Sequence, residues 1–82
     1  MKLRLLLGHA TTKGPVFIAR SEDGRFHVMW RHESLGSYIS AAHAADDAGG
    51  GHVFTPSDGT DLGELAISRD LGDWLPAADF DQ

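Results

Sequence analysis

The sequence predicts an α+β domain: a three-stranded antiparallel sheet packed on one short helix, with an irregular C-terminal segment completing the core. Three observations carry this. Residues 25–31 alternate apolar and polar with a period of two, the pattern of a half-buried strand. The pair Asp23-Gly24 separates that run from a second β-rich run, which is a hairpin signal. Ala41, Ala44, Ala45 and Ala48 then fall at i, i+3, i+4 and i+7, one face of a helix.

Eighty-two residues make a single domain with a thin core, since a chain of this size buries only roughly 60–65 % of its unfolded surface. Within residues 1–82 we expect an N-terminal strand or loop extension at 1–14, a sheet–helix unit at 15–54 and an irregular acidic segment at 55–82. With no cysteine, disulfides and thiolate metal sites are excluded. Leu5, Leu6 and Leu7 follow Lys2 and Arg4, a run far shorter than the ~7–15 apolar residues of a secretion signal or the ~20 of a membrane span. Cytoplasmic residence and no membrane partner are the expectation.

Each element has a local reason. Gly14 and Pro15 break the chain, so 11–15 reads as a loop and 16–20 as a strand. After the turn at 21–24, Phe26, Val28 and Trp30 point to one face, while Arg25, His27, Met29 and Arg31 point to the other and toward solvent. His32-Glu33-Ser34 turns the chain into a third strand at 35–39. Ser40 is suited to cap the helix, because its hydroxyl accepts from a free amide of the first turn. Gly49-Gly50-Gly51 ends it. Asp46 and Asp47 oppose the helix dipole at about 0.3–1 kcal/mol each; nothing in the sequence explains them, which points to a role outside the fold. Residues 53–54 read as a short strand and Pro56-Ser57-Asp58-Gly59 as a turn. Asp61-Leu62-Gly63-Glu64-Leu65 is echoed by Asp70-Leu71-Gly72-Asp73-Trp74-Leu75, each reading as one helical turn. Leu62, Leu65, Ile67, Leu71, Trp74 and Leu75 are expected to close the core. From Pro76 onward the chain reads as a frayed acidic tail.

No group of residues assembles a catalytic site. His43, Asp46 and Asp47 share a helix face, but zinc sites take three or four protein ligands and nothing at matching spacing completes this set. Asp58, Asp61 and Glu64 lack the spacing of a calcium loop. The stretch from Gly8 to Gly14 lacks the order of a phosphate loop, and no G-x-S-x-G elbow occurs. The expectation is therefore no enzyme, no metal and no cofactor.

A binding surface is better supported. Arg25, His27, Met29 and Arg31 form one row, which Arg20 joins from the neighbouring strand. Guanidinium forks suit paired oxygens of phosphate or carboxylate. The charge is segregated: residues 1–32 carry six cations against two acids, and residues 33–82 carry Arg69 against ten acids, within a chain of net −5.

Gly24-Arg25-Phe26-His27-Val28-Met29-Trp30-Arg31 followed by Leu35-Gly36-Ser37-Tyr38-Ile39-Ser40-Ala41-Ala42-His43-Ala44-Ala45 resembles the DNA-binding domain of plant ethylene-response factors. It is also similar to the arm-binding domains of phage-type integrases. The resemblance covers residues 24–48 and implies a three-stranded sheet backed by one helix, its free face entering the DNA major groove through Arg25, His27, Met29 and Arg31. Over its length the chain resembles a group of small uncharacterised bacterial proteins, a likeness that implies no function.

The leading expectation is a non-enzymatic binding module that engages a protein partner and regulates or inhibits it. Two alternatives stand beside it: a nucleic-acid-binding protein using the exposed sheet face, and an acidic mimic of nucleic acid like some phage-encoded inhibitors. The chain's net repulsion from phosphate favours the protein partner.

Overall fold

The alternating run forms β3 (Phe26–Trp30), which pairs antiparallel with β2 (Val16–Ser21). The computed structural model describes residues 2–80. Glu22, Asp23, Gly24 and Arg25 connect these strands, the turn closed by Ser21 N donating to Arg25 O at 2.9 Å and Gly24 N donating to Ser21 O at 3.0 Å. Arg31 and His32 connect β3 to β4 (Glu33–Tyr38), whose register sets Trp30 opposite Glu33 and Met29 opposite Ser34.

The sheet has five strands in the order β4-β3-β2-β1-β5, not the three expected. The leucine run is a true strand, β1 (Leu3–His9), paired antiparallel with β2. A bulge conceals it in the sequence: Leu5 lies opposite Ala19 and Leu7 opposite Ile18, so Leu6 is an extra residue. A bulge interrupts the period of two, and three consecutive leucines show no alternation. The fifth strand, β5 (Leu75–Pro76), spans two residues against Leu7 and Gly8, too short to leave a pattern.

The helix α1 spans Ala41–Gly50. Ser40 Oγ accepts from His43 N at 3.1 Å, and Gly51 ends the helix in the left-handed conformation at φ 73°, which costs glycine nothing because it has no Cβ. Ala44, Ala45 and Ala48 are fully buried with Val16, Ile18, Val28, Trp30 and Leu35. Strand parity is therefore as the alternation required.

The C-terminal half closes this core through 3₁₀ turns at Leu62–Glu64 and Leu71–Asp73. The sequence echo has a physical origin: Asp61 and Asp70 each cap their turn, accepting from Gly63 N and Gly72 N, both at 2.9 Å. Leu62, Ile67 and Trp74 are buried, while Leu65 and Leu71 pack on the core at its margin. Leu75 does not join them and is 52 % exposed, because pairing with β1 takes it away from the helix side. Residues 53–54 form no strand; Phe54 N donates one hydrogen bond to Leu35 O at 2.9 Å.

Two further expectations are corrected. The chain beyond Pro76 is not frayed up to Phe80: a 3₁₀ turn at Ala77–Asp79 carries Phe80 edge-on to Phe17, with ring centres 5.6 Å apart. The remaining tail residues, Asp81 and Gln82, lie outside the described residues, as does Met1 of the N-terminal extension. Asp46 does have a structural role, and Asp47 lies beside Tyr38 and His43. Arg69 Nε donates to Asp46 Oδ1 at 2.9 Å, tying the helix to the C-terminal segment and lowering the Asp46 pKa. Burial, with the Asp47 carboxylate alongside, pushes the Tyr38 hydroxyl up to about 12. Among the described residues, no helix is long and apolar enough to cross a membrane.

Candidate binding face

Residues paired across adjacent strands share a face, so the register decides which side chains meet. Val16, Ile18, Arg20, Phe26, Val28 and Trp30 share the helix side. Phe17, Ala19, His27 and Met29 share the other, the face turned away from α1. The bulge at Leu6 puts Leu5 and Gly8 on that open face as well, opposite Ala19 and Phe17.

The five residues singled out from the sequence are not one exposed row. Met29 is half-buried on the open face, between Phe17 and Ser34. His27 shares its face but is only 7 % exposed. Flanking strands enclose its ring, and Nδ1 lies 3.0 Å from Ser34 Oγ and Nε2 3.3 Å from Ser21 Oγ. Ser21 Oγ in turn donates to Asp23. The imidazole thus braces the centre of the hairpin, where a solvent-facing contact residue was expected. Arg25 straps β3 to β4, donating from Nε to Ser37 Oγ and from Nη2 to Ser37 O at 3.2 Å. Arg20 is on the helix side, opposite Phe26 on one strand and Arg4 on the other, its guanidinium 5.7 Å from the Phe26 ring centre. It does not join the others.

Arg31 sits in the β3–β4 turn at φ 52°, a left-handed conformation that such turns usually give to glycine. Its side chain is held on three sides. The guanidinium stacks 5.1 Å over the Trp30 ring, Nη2 donates to Lys13 O at 3.0 Å, and Nε lies 3.4 Å from Asp58 Oδ2. Asp58 accepts from Trp30 Nε1 at 3.0 Å and from Thr60 N at 2.9 Å. Chiefly the indole donor, then Thr60 and the nearby Arg31 charge, hold this carboxyl down to about 2. The Trp30–Arg31–Asp58 group therefore fixes the geometry at this end of the sheet.

Next to it, the open face has a hollow of about 270 Å³. Leu5, Phe17 and Met29, one from each of three adjacent strands, form its apolar floor; Lys13, Arg31 and His32 form part of its rim. Among the described residues, no carboxylate lies within 4.0 Å of the Lys13 ammonium. Small-molecule and cofactor sites usually run from about 300 to 1,000 Å³, so this hollow suits a single large side chain. Met29 adds an adaptable wall, since its thioether chain repacks easily. Leu5, Phe17 and Lys13 were missed in the sequence reading. Phe17 was legible, being apolar and out of phase with Val16 and Ile18; the bulge hid Leu5, and nothing local marked Lys13.

A second hollow, about 430 Å³, is lined by Lys2, Arg4 and Arg20 together with Leu3, Ser21 and Glu22. None of its three cations forms an ion pair among the described residues. Among the same residues, no three histidine or acidic side chains stand close enough together to hold a metal; Asp46, one of the set on the helix, is engaged by Arg69. Comparison with protein-family models, with curated proteins and with solved structures gave no match.

Proposed function

We propose that this chain is a small non-enzymatic binding module that engages a protein partner through the open face of its sheet and thereby regulates or inhibits that partner. The observation that carries the reading is the hollow over Leu5, Phe17 and Met29, an apolar floor left accessible between cationic side chains. Interfaces draw their affinity from a few apolar or aromatic anchors seated in such depressions, surrounded by a polar rim. Arg31 on the rim also serves the fold, whereas the apolar floor is free to seat an anchor.

The test is photo-crosslinking from position 29 in the native cell, with Ala42 on the exposed side of the helix as the control position. The expected product is a polypeptide adduct from position 29 that survives nuclease treatment and is missing from position 42. Adducts of equal yield at both positions, or none, would remove the reading.

A second reading, nucleic-acid binding, is favoured by Lys2, Arg4 and Arg20 around their own hollow, which form no ion pair among the described residues, and by the likeness of residues 24–48 to sheet-based DNA-binding units. It requires affinity that falls steeply with salt as counterions are released. Anisotropy titrations of duplex DNA and single-stranded RNA at two salt concentrations check it, with binding lost in an Arg4→Ala/Arg20→Ala double variant.

A further inference from the structure

The hollow and the chain's own C-terminal turn share one wall. Phe17 lines the hollow, and the same ring receives the edge of Phe80 at 5.6 Å. Phe80 belongs to the run Asp79-Phe80-Asp81, an aromatic residue flanked in sequence by two carboxylates. A glycine makes room for it: a Cβ on Gly8 would fall 2.6 and 2.7 Å from two Phe80 ring carbons. The open face thus already accommodates one aromatic side chain carried on an acidic segment.

We propose that the hollow takes a second such element in trans, an acidic protein segment presenting one large apolar side chain; this rests on the binding-module reading above. The floor supplies three apolar side chains, and the volume of about 270 Å³ suits one anchor residue better than a cofactor. The rim selects the charge of the flanking residues. Lys13 has no carboxylate within 4.0 Å among the described residues, and the Arg31 side chain remains 61 % exposed despite its contact with Asp58. In a chain of net −5, a locally cationic hollow attracts an acidic segment and disfavours a basic one. The anchor then lies against Leu5, Phe17 and Met29, while its flanking carboxylates meet Lys13 and Arg31.

The probe is a capped peptide with one tryptophan between two pairs of aspartates, titrated into protein carrying ¹³C-methyl methionine. Met29 is the reporter on the floor, and Met1 is the only other methionine. The expected result is a saturable shift of the Met29 methyl, abolished when alanine replaces the tryptophan or lysines replace the aspartates. Lys13→Glu, at a side chain that forms no ion pair among the described residues, should weaken binding about tenfold or more. Equal binding of the lysine-flanked peptide, or an unmoved Met29 methyl, would overturn the acidic occupant. If Met29 stays unmoved while position 29 still crosslinks to a polypeptide, the module reading stands and only this inference falls.

Discussion

Trp30 and Asp58 are joined by a hydrogen bond of 3.0 Å in which the indole Nε1 donates to Oδ2, so the largest fully buried side chain has its one polar atom satisfied by a carboxylate 28 residues away. The bond is stronger when Asp58 is ionised, and it is the main cause holding that carboxyl at about 2, against 3.8 for an ordinary aspartate. A folded-state pKa below the unfolded value adds stability that is fully present above the unfolded pKa and disappears as pH falls through the folded one. The melting temperature should therefore drop between about pH 4 and pH 2. Asp58→Asn should melt lower at neutral pH and decline less across that window. Melting curves of the two proteins that stay parallel from pH 5 to pH 2 would show that the bond carries no proton linkage.

The helix rests on the sheet through alanines, and this sets a steric limit. Ala44 and Ala45 are fully buried, whereas His43 is exposed and touches the Tyr38 ring at 5.1 Å between centres. A leucine at 44 or 45 should overpack the interface by about 1–3 kcal/mol. His43→Leu should stay within about 0.5 kcal/mol of the parent. Denaturant titration of the three variants tests the contrast, and equal tolerance at all three positions would contradict close packing.

Local signals that agreed with the global fold were readable in the sequence. The alternation around Val28 gave the buried side of β3, Ser40 gave the helix start, the Gly49-Gly50-Gly51 run gave its end although Gly49 and Gly50 still belong to the helix, and Asp61 and Asp70 marked two turns. The failures have a common physical cause: each depended on how one element is placed against another. The β1 bulge exists only relative to β2. β5 is two residues long and is defined by its contact with Leu7 and Gly8. His27 lies on the side that alternation indicated, yet hydroxyls from Ser21 and Ser34 and the flanking strands enclose it. Of the candidate site, Met29 and Arg31 were legible, while the floor that Met29 forms with Leu5 and Phe17 required strand order.

Arg4 and Arg20 stand directly opposite each other on β1 and β2, without an ion pair among the described residues. Like charges in that position are destabilising, and an opposite-charge pair contributes about 0.2–1 kcal/mol. Arg4→Glu should therefore stabilise the fold by an amount in that range. The gain should shrink in 1 M salt, where screening acts within about 3 Å. A loss of stability at low salt would mean that Arg4 makes a favourable contact outweighing the repulsion.

Gly8 and Phe80 make the last prediction a reversal of sign. Adding a Cβ to Gly8 places it 2.6 Å from the Phe80 ring and 3.0 Å from Phe17, so Gly8→Ala should displace Phe80 from its seat. Phe80→Ala should cost about 0.5–1.5 kcal/mol through the lost edge contact with Phe17. With Phe80 gone, the Phe17 ring is the main obstacle and needs to yield only a few tenths of an ångström. Glycine inside a strand is itself unfavourable by about 0.5–1 kcal/mol relative to alanine. Gly8→Ala should thus destabilise the parent protein and stabilise the Phe80→Ala variant. A double-mutant cycle by denaturant titration reads the coupling directly. Simple additivity would mean that the ring does not occupy this seat in solution, and the internal precedent for an aromatic anchor on the open face would be lost with it.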